Sequence, residues 1–150
     1  MLEITKAGNH GILLPQLGIG MDYSGKQAEH VFVSHGHADH IPWKSYAKNV
    51  YATPPTKEFM HRRGAKYKVQ ELPFKQSVET DNASITFYPA GHILGSALTF
   101  VESDYGNLLY TGDYRTPPSP ATEGFELPDA EIDSFITEAT FSLPVYRWAD

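Results

Sequence analysis

The sequence predicts an α/β fold, and three observations carry that reading. Short apolar runs recur along the chain, each closed by glycine, proline or small polar residues, as strands are. Between two of them, Thr53-Pro54-Pro55-Thr56 opens a helix that Gly64 stops after Arg62-Arg63. Three of the runs end, near residues 34, 91 and 112, in histidines or aspartates flanked by glycine. Open α/β sheets collect such side chains at the carboxyl ends of their strands.

Taken in order, residues 1–22 read as a hairpin or two short strands, with Pro15 interrupting the apolar pattern and Asp22 closing it. Val31-Phe32-Val33 reads as a buried strand. Pro42 then falls in what should be the first turn of a helix, where proline is tolerated, with Trp43 and Tyr46 packing that helix on the core. Asn49-Val50-Tyr51-Ala52 is a strand, and the Thr53 helix follows. On that helix Lys57 and His61 share a face, and His61 reads as a surface residue rather than a ligand. Residues 67–72 read as another strand. Ser84-Ile85-Thr86-Phe87-Tyr88 alternates polar and apolar, as a half-buried strand does. Residues 98–101 and 108–111 form a hairpin around Ser103-Asp104-Tyr105-Gly106. Residues 116–130 hold Pro117, Pro118, Pro120 and Pro128 and read as a loop. Phe135-Ile136-Thr137 is the last strand, running into Glu138.

Composition narrows the class. A chain of 150 residues with 41% apolar and 13% aromatic residues can bury a core. No apolar run approaches the roughly 18 residues of a membrane span, and Met1-Leu2-Glu3-Ile4-Thr5-Lys6 lacks the apolar core of a signal peptide. There is no cysteine, which excludes disulfides and thiolate ligands. A cytoplasmic location without membrane contact is the expectation. The net charge of −6 is uneven: residues 44–75 carry eight bases against two acids, Glu58 and Glu71, and the remainder is strongly acidic. A basic segment beside an active site suits a polyanion. Arg62, Arg63 and Lys66 are the candidate substrate contacts within it.

The chemistry concentrates in Ser34-His35-Gly36-His37-Ala38-Asp39-His40. His35 and His37 are two apart, so an extended backbone points both the same way, with Gly36 allowing a bend. Asp39 and His40 face the same cavity from the start of the next turn. Neutral imidazoles and carboxylates are ligands of catalytic zinc. His92, between glycines at a strand end, would complete three imidazoles on one cation. Asp113 would bridge to a second cation held by Asp39 and His40, and two such cations about 3.5–4 Å apart can clamp a phosphate or carbonyl oxygen. Zinc suits this donor set best, and manganese also fits a nitrogen and oxygen site without thiolates. Asp22, just before Ser24-Gly25, reads on its own as an aspartate that starts a turn.

His35-Gly-His37-Ala-Asp39-His40, then Ala90-Gly91-His92-Ile93-Leu94-Gly95-Ser96-Ala97, then Thr111-Gly112-Asp113-Tyr114 resemble the β-CASP nuclease branch of the metallo-β-lactamase superfamily. Thr137-Glu138-Ala139-Thr140-Phe141 resembles that branch's next motif, with Ala139 in place of the usual serine and no glycine after Phe141. The tail, Leu143-Pro144-Val145-Tyr146-Arg147-Trp148, resembles more narrowly the bacterial DNA-ligase-associated exonucleases; the messenger-RNA 3′-end-processing nucleases belong to the same branch. The resemblance runs from about Asp22 to Trp148. It implies a four-layer αββα sandwich, here its N-terminal half. Residues 1–133 would be part of the metallo-β-lactamase domain, and residues 134–150 a last strand and the start of a truncated β-CASP lobe. It further implies phosphodiester cleavage of nucleic acid by a metal-bridging hydroxide, DNA before RNA, with His35, His37, Asp39, His40, His92 and Asp113 as ligands. Asp39, Asp113 and Glu138 are the expected catalytic carboxylates, and the same pattern implies that Asp22 orients a metal-bound histidine or the motif loop. A DNA ligase or helicase is the implied protein partner.

No histidine follows His92, although the family draws a further histidine ligand and others for its second lobe from later in its chains. A fragment with little turnover of its own is therefore expected, with a second cation held only by Asp39, His40 and the shared Asp113. Two other readings compete. A hydrolase of the same superfamily acting on a small ester, thioester or lactone would need neither the basic segment nor Glu138. A non-catalytic nucleic-acid-binding module would need no intact ligand set.

Overall fold

Side chains alternate across a strand, and in this chain both faces of the central strands are apolar, so each strand is buried on two sides. The computed structural model describes residues 1–8 and 10–137. A first sheet has the order β1 (Thr5–Ala7), β2 (Gly11–Leu14), β3 (Ile19–Met21), β4 (His30–Phe32), β5 (Asn49–Ala52) and β6 (Gln70–Glu71). Its first three strands form an antiparallel meander, and β3 to β6 run parallel. The second sheet has the order β11-β10-β9-β8-β7. It comprises β7 (Ser77–Glu79), β8 (Ala83–Pro89), β9 (Ala97–Ser103), β10 (Gly106–Tyr110) and β11 (Ser134–Ile136). All its pairs are antiparallel except β10 with β11.

The alternation sorts the core into three layers of contact. Leu14, Ile19, Met21 and Phe32 of the first sheet pack on Ile85, Phe87, Val101 and Leu108 of the second. On the outer face of the first sheet, Leu13, Val31, Val33 and Val50 meet Met60 of the helix α1 (Pro54–Arg62). On the outer face of the second, Leu98, Phe100 and Leu109 are covered by Phe125 from the proline-rich stretch and Ile132 just after it. Helix, sheet, sheet and loop therefore stack in that order among the described residues. No helix there is long and apolar enough to cross a membrane.

Most strands fall where the sequence places them, and the differences have local causes. Residues 1–22 make three strands rather than two. The strand expected over residues 67–72 shortens to β6, and β7 is an edge strand that its polar composition concealed. The helix expected after Pro42 is absent: residues 36–48 form turns and bends. The Ser45 hydroxyl accepts the Ala47 N–H at 3.3 Å, a local bond that competes with helix. Trp43 and Tyr46 are consequently 47% and 54% exposed rather than packed on the core. Helix α1 starts on Pro54-Pro55 and ends with His61 and Arg62 in its last turn, where cations suit the helix dipole.

Three loops at one edge of the sandwich are sewn together. The Ala97 N–H donates to the Ser34 carbonyl at 2.7 Å, joining the second sheet to the histidine loop. The Thr53 hydroxyl donates to the Gly95 carbonyl at 2.6 Å, tying the start of α1 to the loop that carries His92. Gly112 has φ +54°, and a Cβ there would stand 2.6 Å from the Ser34 hydroxyl. Only glycine gives both that backbone conformation and that approach.

Candidate metal centre

The site is built outward from a buried carboxylate. Asp22 ends β3, and its side chain accepts four hydrogen bonds. The Ser34 N–H donates to Oδ1 at 2.7 Å, while the Ser34 and Tyr110 hydroxyls donate to Oδ2 at 2.6 and 2.8 Å. His40 Nδ1 lies 2.8 Å from the same Oδ2 and donates to it, because a carboxylate only accepts. The Ser34 hydroxyl spends its proton on Asp22, so His35 Nδ1, 2.9 Å away, must donate to it. One carboxylate thereby sets which ring nitrogen of two histidines donates toward it and turns both Nε2 atoms away from it. Both Nε2 atoms are buried and have no hydrogen-bond partner. Each instead stands 3.5 Å from an oxygen of Asp113. Unpartnered buried polar atoms are rare and need an explanation.

The remaining imidazoles close the cluster. His37 Nδ1 and His92 Nε2 are 3.2 Å apart. Two nitrogens bound tetrahedrally to one zinc, at about 2.0–2.1 Å each, stand about 3.3 Å apart. The rings of His35, His37 and His92 lie 4.9 to 5.1 Å apart and nearly perpendicular to one another. Lone pairs thus converge without the rings colliding. Donor atoms of His35, His37, His92 and Asp113 all lie within 4.8 Å of one another. Those of His10, Asp39 and His40 form a second such group. The donor chemistry and the orphaned Nε2 atoms both fit divalent cations.

Electrostatics follow from the same arrangement. Burial, then the charge of His35, holds His37 and His92 below the usual histidine value. Both are therefore neutral near pH 7, the form that binds metal. Burial would also lower His40, but Asp113 and Asp22 outweigh it and push it up to about 10. The two carboxylates therefore favour positive charge at this position.

The structure thus brings His35, His37, Asp39, His40, His92 and Asp113 together, with Asp22 behind them. Glu138 and the motif around it lie outside the described residues, as does the tail through Trp148. Of the basic candidates, Arg62 is paired with Glu58 at 2.7 Å on the exposed face of α1. Arg63 is exposed, and its charge reaches His37. Lys66 is exposed just after the helix. Gly36 serves in a way its sequence does not reveal. Its φ is not positive, but a Cβ would stand 2.6 Å from Cβ of Phe59, so α1 packs directly on the histidine loop. His10, in the turn between β1 and β2, was not legible as a site residue: it lies far upstream of the motif as a lone histidine.

No family model matches the chain. Relatives do. The chain is 38% identical over 141 residues to a protein named probable DNA ligase from Opitutus terrae, across 92% of this chain and 13% of that protein. It is 32% identical over 141 residues to an RNase J-like protein of Methanocaldococcus jannaschii, across 80% of this chain and 33% of that one. It is 30% identical over 129 residues to the 5′ exonuclease Apollo of Rattus norvegicus, across 76% of this chain and 24% of that one. The chain thus spans a third or less of each of these relatives.

Proposed function

Since this chain belongs to the β-CASP nuclease branch of the metallo-β-lactamase superfamily, we propose that it carries the cation-binding half of a nuclease that hydrolyses phosphodiesters, in DNA before RNA. The observation that carries the proposal is the pair of buried Nε2 atoms that have no hydrogen-bond partner and face Asp113 at 3.5 Å. In this reading residues 1–133 belong to the metallo-β-lactamase domain, and Glu138 begins the motif leading into a β-CASP lobe. His35, His37 and His92 would hold one divalent cation, Asp39 and His40 would hold another, and Asp113 would serve the centre between them. Zinc is the best match to these donors, with manganese as the alternative.

Divalent cations held there supply Lewis acidity toward a phosphate oxygen and a water acidic enough to ionise near neutral pH. The chain's own residues supply the rest. Asp22 fixes two ligands in the tautomer that faces the cations. Asp39, 61% exposed at its side chain, stands at the mouth, where substrate enters. An open cleft of about 550 Å³ runs from His10, Asp39 and His40 to Trp43, Lys44 and Tyr46. Exposed aromatics beside lysines suit a single strand, whose bases stack and whose phosphates attract cations. A small lactone or thioester would use neither feature.

Full-length protein bearing this chain decides between the readings. Matched DNA and RNA single strands and a panel of small esters and lactones are incubated with zinc or manganese, and with chelator. Cation-dependent shortening of the strands, faster on DNA, is expected. Hydrolysis confined to the esters would overturn the nuclease reading, and strand binding without any cleavage would favour the non-catalytic one.

Arg63 carries a separate expectation. Arg62 already has Glu58 as a partner, whereas the field of Arg63 reaches the site. Arg63→Ala is expected to lower the slope of log affinity against log salt by about 0.7–0.9, the release expected for one phosphate contact. Arg62→Ala should change it less. Equal slopes for wild type and Arg63→Ala would return this arginine to the solvated surface.

A further inference from the structure

We propose that His10 is a protein ligand of the second cation, supplied by the β1–β2 turn to the Asp39–His40 side of the centre. The inference rests on the two-cation reading above and adds a residue that its motifs do not contain. Without it, the second cation has Asp39, His40 and the shared Asp113, all within or after the histidine motif.

Four observations carry it. His10 Nε2 stands 3.4 Å from Asp39 Oδ2. Its ring lies almost flat on that of His40, with centroids 4.2 Å apart and planes 27° apart. His40 is 2% exposed, and its Nε2, part of the same donor group within 4.8 Å, has no hydrogen-bond partner. The turn is also tied to the carboxylate network behind the centre. The Tyr110 hydroxyl, which donates to Asp22, lies 3.4 Å from the His10 carbonyl.

A surface histidine with no task would have no reason to be held there. Donor atoms of His10, Asp39 and His40 lie within 4.8 Å of one another, close enough for one cation to reach all three. A cation there would take a nitrogen lone pair from each ring and the charge of the exposed Asp39 carboxylate. The backbone prepares the approach. Ala7 pairs with Gly11 across the turn, and a Cβ on Gly11 would stand 2.6 Å from the Ala7 carbonyl oxygen. Glycine at that position lets β1 and β2 close tightly enough to present His10 over His40.

The test is cation stoichiometry and affinity of the purified chain, measured by elemental analysis after dialysis and by zinc titration. Cobalt absorbance reports the coordination of each site independently of activity. Wild type is expected to hold two cations. His10→Ala should keep the first and bind the second more than about 100-fold more weakly, since even outer partners of a ligand cost 10–100-fold. His10→Asp, which restores a donor of similar reach, should recover most of that loss, and circular dichroism should match wild type for both variants. Two cations held with unchanged affinity by His10→Ala would overturn the role of His10 and leave the two-cation reading standing. A wild-type chain that holds fewer than two would overturn both.

Discussion

Asp22→Ala is expected to destabilise the fold by about 3–5 kcal/mol and to disorder the centre at the same time. The side chain is fully buried beside an almost fully buried His40. Removing one partner of such a pair leaves the other uncompensated, which costs about that much. The same substitution strands the Ser34 N–H and the Ser34 and Tyr110 hydroxyls, each of which gives its hydrogen bond to this carboxylate. Denaturant titration with and without zinc measures both effects.

The loss has a pH signature in the cation-free protein. His40 rises from its ordinary value of 6.5 to about 10 in the fold, chiefly against burial and through Asp113 and Asp22. A group raised on folding contributes stability that is fully present below its unfolded value and disappears as pH climbs through its folded one. Chelated wild type should therefore weaken between pH 6.5 and 10, and Asp22→Ala should show a flatter profile. A variant as stable as wild type, with the same pH profile, would remove Asp22 from the foundation of the site.

His92→Ala is expected to abolish strand cleavage in the full-length protein while leaving the fold nearly as stable as before. His35 would be a less clean choice, because it is completely buried and its loss would also open a void and break the Ser34 relay. His92 is partly exposed, and its loop is held through the backbone. The Ser96 hydroxyl accepts the His92 and Ile93 N–H groups at 3.0 and 3.2 Å. Truncation therefore removes one of three converging nitrogens and little packing, at a cost of about 0.5 kcal/mol or less. Cleavage rate, zinc content and melting temperature are measured together. Retained cleavage with normal zinc content would mean that His92 is not a ligand.

The residues that converge at this edge were legible because their chemistry is dense and local. Three histidines and an aspartate within six residues of a buried strand leave few structural explanations, and each later motif sits at a strand end that periodicity locates. The hairpin of β9 and β10 was legible for a related reason, since two mainly apolar runs flank the turn Ser103-Asp104-Tyr105-Gly106. What the sequence concealed depended on distance in the chain. His10 joins the centre only because β1 and β2 bring its turn back over His40. Gly36 looked like a flexible joint, whereas its role is to admit Phe59 from another element. The helix expected around Trp43 failed on a local competition that pattern alone does not weigh, namely the bond between Ser45 and Ala47. Its failure leaves two aromatic side chains exposed beside the cleft. The pairing of Arg62 with Glu58 needed the helix register, so the three basic candidates looked equivalent until α1 was in view.

The most direct measurement on the central claim is anomalous diffraction at the zinc edge from crystals of this chain grown with zinc. A peak is expected within about 2.0–2.2 Å of nitrogens from His35, His37 and His92, the bond lengths zinc makes to imidazole and carboxylate. Asp113 should be close to that peak, and a second peak should lie beside His40 and Asp39. Crystals that contain zinc but show no peak among the three imidazoles would contradict the account.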